Sequence, residues 1–281
     1  MAMLPAHVLA QGSELPDFDE TVQGWTASEG LMTLYRPEKG GQELRAAVPS
    51  GMVDQPFFMA TSVSGGSDYA GWQWADLLVR FERLEDKLLL VELQTNNRVG
   101  DEQDPLHEVV DRTYANRLLA SIDIIAEGGP GLLIDLGSLV KSDYSTFFGS
   151  YFALDSMTAR FTATKAFPQN LEIGVQMPDY SDGTFMTLHY SISSLPELSD
   201  YTPRQADDRI GYFLTAIRDY SAGDPRQGRM LRLVNRWKLE KADESLELSP
   251  PKQPIVFYVE KSVPYAYRQA VHAGILEWNK A

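Results

Sequence analysis

"ADLLVRFERLEDKLLLVELQT", residues 75–95, is the stretch that decides the fold. Two apolar-rich runs flank Glu85 and Asp86. In the first, Leu78, Arg80 and Glu82 fall on one side of a pleat and Val79 and Phe81 on the other. A side chain that changes face at every step belongs to a strand; a helix returns to the same face every three or four residues. The segment therefore reads as a β-hairpin with Glu85-Asp86 in the turn.

The same texture continues outward. Residues 30–49, "GLMTLYRPEKGGQELRAAVP", give two short apolar runs around Lys39-Gly40-Gly41, a second hairpin, and "QPFFMATSVSGG", residues 55–66, gives a further strand. Residues 104–140 open as a helix, with Leu106, Val110, Tyr114 and Leu118 on one stripe. They then change period into two strands around Gly128-Gly129-Pro130-Gly131. Residues 159–197 read as a β-meander with turns at 168–170 and 181–183, and "MLRLVNRWKLEKAD", residues 230–243, as one more strand. Hairpins repeated at short spacing imply an α+β, β-rich chain built on a mostly antiparallel sheet or sandwich rather than a doubly wound one. Near the end, the apolar run Ile255, Val256, Phe257, Tyr258, Val259 reads as a strand covered on both faces. Tyr267, Val271, Ile275 and Trp278 follow at helical spacing, with Ser262 and Pro264 as the expected helix start. Such a strand needs neighbours.

Composition excludes several classes. Of 281 residues, 43% are hydrophobic and 11% aromatic, enough for a packed core and too apolar for general disorder. A net charge of -14 repels a polyanionic backbone, and no basic cluster offsets it, so nucleic acid is not an expected partner. With 0 Cys there is no disulfide, thiolate nucleophile or thiolate metal site. No stretch has the length of a membrane span. The opening "MAMLPAHVLAQGSELPDF" resembles at best the remnant of a signal peptide, since no basic residue precedes its short apolar patch.

Few motifs carry chemistry. His107, Glu108 and Asp111 stand one residue away from the His-Glu-x-x-His zinc helix, but Asp replaces the second His, and Ala115 and Leu118 occupy the continuation; a solvated helix face is the expected reading. His189 alternates with Leu188 and Tyr190 as a sheet residue does, His272 falls on the polar side of the last helix, and His7 lies in the leading segment. Asp101, Glu102 and Asp104 lack the glycine and closing Glu of a calcium loop, and Asp179 and Asp182 suit turns. Asp207, Asp208 and Arg209, followed by Tyr212, pack charge and aromaticity into a weakly periodic segment, which suits a docking loop and equally a surface loop with its own ion pair. Glycine-containing stretches at 65–71 and 128–133 lack the spacing of a phosphate or dinucleotide loop.

Four strings, "TASEGLMTLYR" (26–36), "HYSISSLPE" (189–197), "DDRIGYFLTAIRDY" (207–220) and the whole of residues 233–281, resemble the N-terminal portion of a family of large bacterial zinc-dependent metalloproteases. Members carry uncharacterised domains ahead of a metzincin-like catalytic domain. The resemblance implies three regions: a leading segment 1–28, a β-rich N-terminal domain 29–249, and a linker with the first strand and helix of the α/β protease domain at 250–281. It implies further that the chain leaves off before the zinc-binding helix. No zinc ligand or catalytic Glu is carried over: no metal or cofactor is expected in this chain, and zinc belongs to the full-length parent. The expected partners are the downstream catalytic domain and, for the parent, a polypeptide substrate; the expected location is secreted or periplasmic. Asp207, Asp208, Arg209, Tyr212 and Asp219 are the residues for contact with that domain, and the three aspartates the candidates for holding it latent. Two other readings stand beside this one. In the first, the chain is a secreted or periplasmic β-rich binding module for polypeptide or glycan with Tyr69, Trp72, Trp74 and Tyr151 as its platform. In the second, it is a complete chain whose last strand and helix pair with a second copy.

Overall fold

The computed structural model describes residues 15–100, 104–142, 154–196, 201–221 and 228–280. Two compact units divide the chain: Met1–Ser199 with Ala216–Leu231, and Asp200–Thr215 with Arg232–Ala281. The division falls within the last two strands, ahead of the linker expected from residue 250.

Among the described residues the first unit is built on one eleven-stranded sheet. Its strands are β1 (Trp25–Ser28), β2 (Thr33–Pro37), β3 (Arg45–Val48), β4 (Pro56–Gly65), β5 (Gln73–Leu84), β6 (Lys87–Glu92), β8 (Arg117–Gly128), β9 (Gly131–Ile134), β10 (Arg160–Phe167), β11 (Asn170–Pro178) and β12 (Phe185–Ser194). The order across the sheet is β1-β2-β3-β9-β8-β6-β5-β4-β12-β11-β10, and every neighbouring pair is antiparallel. The fold is thus a β-rich α+β fold resting on a single sheet. That sheet curls until its edges approach: the Leu31 amide, just before β2, donates to the Phe167 carbonyl at the end of β10 at 2.7 Å. Two small helices, α1 (Phe18–Thr21) and α2 (Leu106–Thr113), and a third, α3 (Leu136–Ser142), sit in the connections. A short β7 (Asn97–Arg98) joins β13 (Leu214–Asp219) and β14 (Arg229–Val234) in a separate three-stranded ribbon, with β13 parallel to β7.

The alternation in β5 produces the interior. Leu77, Val79 and Phe81 are buried while Leu78, Arg80 and Glu82 are only half-buried. Leu88 and Leu90 from β6, Phe57 and Met59 from β4, Leu171 and Ile173 from β11, and Leu188, Tyr190 and Ile192 from β12 fill the same core. Each such side chain contributes roughly 1.5–3 kcal/mol by leaving water. Phe57 and Phe81 stack at 5.1 Å within it. The turns follow from local chemistry. Gly131 has φ +128°, and a Cβ there would stand 2.0 Å from the Val48 carbonyl oxygen, so only glycine admits β3 beside the β8–β9 turn. Asp179 accepts from the Ser181 amide at 2.7 Å and Asp182 from the Thr184 amide at 2.8 Å, the side-chain turns expected between β11 and β12.

The second unit is different in kind. Cross-links such as Ala206 N–H to Arg232 O and Asn235 N–H to Phe213 O, both 2.8 Å, hold its first part. Helix α4 (Tyr265–Leu276) follows, and a 3-10 turn closes it at Glu277–Lys280. None of its described residues is buried.

Several expectations need correction. Residues 255–259 form no strand: they carry no ladder partner among the described residues, and a β-forming run becomes a strand only when a neighbour takes its amides and carbonyls. Ser262 does not cap α4; it bonds Glu260, and Pro264 stands at the cap with no side-chain hydrogen bond. The stripe from Leu106 to Leu118 is cut at Tyr114, because Leu118 already lies in β8, exposed. The strand expected over 230–243 ends at Val234.

Candidate functional site

The strand directions divide the connections between the two ends of the curled sheet. At one end lie three two-residue links, 85–86, 129–130 and 168–169, with 29–32 and 49–55. At the other lie 38–44, 66–72, 93–100 with β7, 104–116 with α2, 135–142 with α3, and 179–184, each of six residues or more. Long connections at one end of a rigid sheet are where a scaffold of this kind carries binding groups, because they escape the pairing that fixes the strands. That rim is the candidate site of the first unit.

Three groups of side chains are built on it. The first is aromatic. Tyr69 meets two tryptophans nearly at right angles at the β4–β5 tip, 5.9 Å from the Trp72 ring and 5.6 Å from the Trp74 ring. Trp74 packs against the core, whereas Trp72 is 61% exposed. The second is cationic: the Arg36 guanidinium lies 4.8 Å and the Lys141 ammonium 4.6 Å from the Phe161 ring. Burial lowers the pKa of both; for Lys141, Asp135 and Glu43 pull it back up and Arg36 pushes it further down. Arg36 Nη2 donates to the Gly41 carbonyl at 2.7 Å, Lys141 to the Gln42 carbonyl, and the Gln42 amide oxygen accepts from the Phe161 amide at 2.7 Å. These contacts clasp β10 to the β2–β3 turn, which closes the sheet.

The third group holds Asp219. Its carboxylate, in a residue 8% exposed, accepts from Arg98 Nε and from the Ser221 amide, each at 2.9 Å. Burial pushes its pKa up, and the bonds from Ser221 and Arg98 more than offset this, so it rests below the ordinary aspartate value. Tyr114 and Tyr220 join hydroxyls beside it at 2.6 Å. Asp219 thus ties β13 to β7. The other four sequence candidates fall in the second unit. Asp207 receives the Arg209 side chain (Nε at 2.8 Å, Nη2 at 2.5 Å) and its amide at 3.0 Å, which hold its pKa down at about 2. This is a self-contained ion pair within three residues. Asp208 is exposed and Tyr212 half-exposed beside it.

The remaining polar clusters are spent on local bonds. His107 Nδ1 meets Asp111 at 3.0 Å along one face of α2. Asp104 accepts from the Leu106 amide at 2.9 Å, while Asp101 and Glu102 lie outside the described residues, as do His7 and Tyr151. On the outer face of β11 and β12, Glu172 gathers His189 at 2.5 Å, Ser191 at 2.8 Å and Asn170 at 2.7 Å. The serine hydroxyl donates to the carboxylate rather than to the imidazole, so the trio does not have the serine–histidine contact of an activated nucleophile. Among the described residues no group of three or more His, Asp or Glu side chains is placed to hold a metal ion.

The second unit offers an apolar surface instead. Val256, Phe257 and Tyr258 are 60%, 61% and 92% exposed, and Tyr265, Tyr267 and Trp278 of the segment behind them are 87%, 64% and 80% exposed. Val259, Tyr265, Arg268, Gln269 and His272 line a shallow open hollow there of about 400 Å³. Arg268 fastens the loop into α4, donating to Val263 O at 3.0 Å and Lys261 O at 2.6 Å.

Sequence reasoning misses the Arg36–Phe161–Lys141 clasp and the Arg98–Asp219 tie. Each joins residues more than a hundred positions apart, and no local pattern marks them. Compared with known proteins, the chain matches one family over residues 71–242, described as "Domain of unknown function (DUF5117)". No curated protein and no solved structure matches it.

Proposed function

The chain belongs to the DUF5117 family, and from that premise we propose that it serves as the non-catalytic, β-rich part of a zinc-dependent peptidase, supporting or restraining the catalytic domain. One observation carries the reading: residues 255–278 present Val, Phe, Tyr, Leu and Trp side chains to solvent in a segment with no core of its own. A contiguous apolar surface of this kind marks an interface. The resemblance of residues 254–281 to the first strand and helix of a metzincin-like domain suggests the partner: the peptidase domain of the same protein, whose sheet completes 255–259 as a strand and whose body covers α4.

In this reading zinc and the hydrolytic step belong to that domain, where the ion polarises the scissile carbonyl and lowers the pKa of its water. The residues of this chain bind and position. Asp207, Asp208, Arg209 and Tyr212, exposed or half-exposed at one loop of the second unit, are its polar contacts with the catalytic domain; Asp219, committed to Arg98, keeps β13 in place. A polypeptide is the substrate of the whole enzyme, and a secreted or periplasmic location follows from the same resemblance.

The test is direct. The chain purified alone and dialysed against buffer with trace zinc is expected to retain no stoichiometric metal and to leave casein intact. Tightly bound zinc at one ion per chain together with peptide hydrolysis would refute the proposal.

A further inference from the structure

The β4–β5 tip has a use that the peptidase reading does not require. Its backbone is already committed: the Val63 amide donates to Trp72 O at 3.1 Å, Gly71 to Val63 O at 2.8 Å, Ala70 to Ser67 O at 2.9 Å and Trp72 to Tyr69 O at 3.0 Å. The strands below it are paired on both sides, β4 with β5 and β12, and β5 with β4 and β6. No peptide can add there as a strand, because no main-chain edge is open. What the tip does offer is ring surface and side-chain oxygen.

The ring surface is held in place rather than loose. Trp74 packs against the core, Tyr69 contacts it nearly perpendicularly at 84°, and Trp72 meets Tyr69 at 83°. The chain of contacts runs from the core to a tryptophan that keeps 61% of its surface in water. Gly66, at φ +78°, lets the tip press on the β11–β12 hairpin: a Cβ there would stand 1.8 Å from the Phe185 carbonyl oxygen. Such bracing fixes an exposed aromatic in advance of a ligand and lowers the ordering cost of binding.

The surrounding charge selects the ligand. Asp68 adjoins Tyr69 and Gln73 adjoins Trp72 in the chain, Gln73 bonds the exposed Asp76, and the chain carries a net charge of -14. Anionic polymers are repelled, while carboxylate and amide oxygens accept hydrogen bonds from hydroxyls. An exposed indole in a stretch that also carries such acceptors suits an uncharged pyranose, whose C–H face stacks on the ring while its hydroxyls bond neighbouring oxygens. We infer that Trp72, braced by Tyr69 and Trp74 in a stretch that carries Asp68, Gln73 and Asp76, is a stacking platform for a neutral glycan.

The experiment uses the full chain and four uncharged hexasaccharides, cellohexaose, maltohexaose, mannohexaose and chitohexaose, read by tryptophan fluorescence and confirmed by calorimetry. At least one is expected to bind with a saturable spectral shift. Trp72→Ala should weaken that binding about 10-fold or more, as loss of a central aromatic anchor does, while Trp72→Tyr restores most of it. Since Trp72 is exposed, Trp72→Ala should melt with the parent chain, which separates lost binding from lost fold. Absence of binding by all four at millimolar concentration, or equal binding by Trp72→Ala, overturns the inference. So does displacement of the sugar by an uncharged aromatic peptide at lower concentration. None of these results touches the peptidase reading, which stands on the other unit.

Discussion

The two units of this chain use similar amino acids to opposite ends. In the first, the large apolar residues go inward: Phe57, Phe81, Met59, Leu90 and Tyr190 are at most 2% exposed. In the second, Phe257, Tyr258, Tyr267 and Trp278 go outward, and no described residue is buried. The difference lies in pairing. Every strand of the eleven-stranded sheet finds an antiparallel neighbour, so alternate side chains are driven to one face and that face closes on itself. The run at 255–259 finds none among the described residues, and without a ladder its side chains have no shared face to hide. Apolar content alone does not make a core; a partner for the backbone must come first.

The comparison breaks most visibly at Phe81. Phe81→Ala should destabilise the first unit by about 3–5 kcal/mol, the usual cost of an aromatic cavity, measured as a fall in the denaturation midpoint. A loss below about 1 kcal/mol would mean that the interior is not the packed core described.

Asp219→Asn comes next. It removes the charged acceptor of Arg98 and should cost about 1–3 kcal/mol, seen as faster amide exchange in β7 and β13. The native carboxyl sits below its ordinary value of 3.8. Its contribution is therefore complete above that value and is lost as pH falls through the lower folded-state pKa. Wild type should loosen the ribbon on acidification through that window, and Asp219→Asn should show no such step.

How much of this was legible in the sequence follows from range. The period-two pattern of residues 75–84 put Val79 and Phe81 on one face, and the turn residues at 85–86 and 168–169 gave the hairpins, because each depends only on near neighbours. The pairings of β3 with β9 and β4 with β12 were not legible, since they set the order of the sheet through contacts between residues far apart in sequence. For the same reason the aromatic trio showed its members but not that Tyr69 meets both Trp72 and Trp74. The segment at 255–259 misled for the opposite reason: its local pattern is that of a strand, and what it lacks is the neighbour.

In the second unit the effects should be small. Tyr258→Ser, at a residue 92% exposed, should change the stability of the isolated chain by no more than about 0.5 kcal/mol, while reducing its binding of a hydrophobic dye. Smaller still is the Asp207–Arg209 pair. Its aspartate should titrate at about 2 by NMR and rise toward the ordinary aspartate range in Arg209→Ala, which removes the side-chain bonds and keeps the amide bond, with no shift in the melting temperature of the first unit. An unchanged titration in that variant would show that Arg209 is not what holds the carboxyl ionised.

The measurement that bears most directly on the account is amide hydrogen exchange across residues 255–276, in the chain alone and in the chain joined to a peptidase domain. In the chain alone these amides should exchange orders of magnitude faster than those of β5 and β6, and joining the domain should slow them by about 100-fold or more. Protection in the isolated chain equal to that of the sheet would contradict it, for the segment would then already possess the partner it is held to lack.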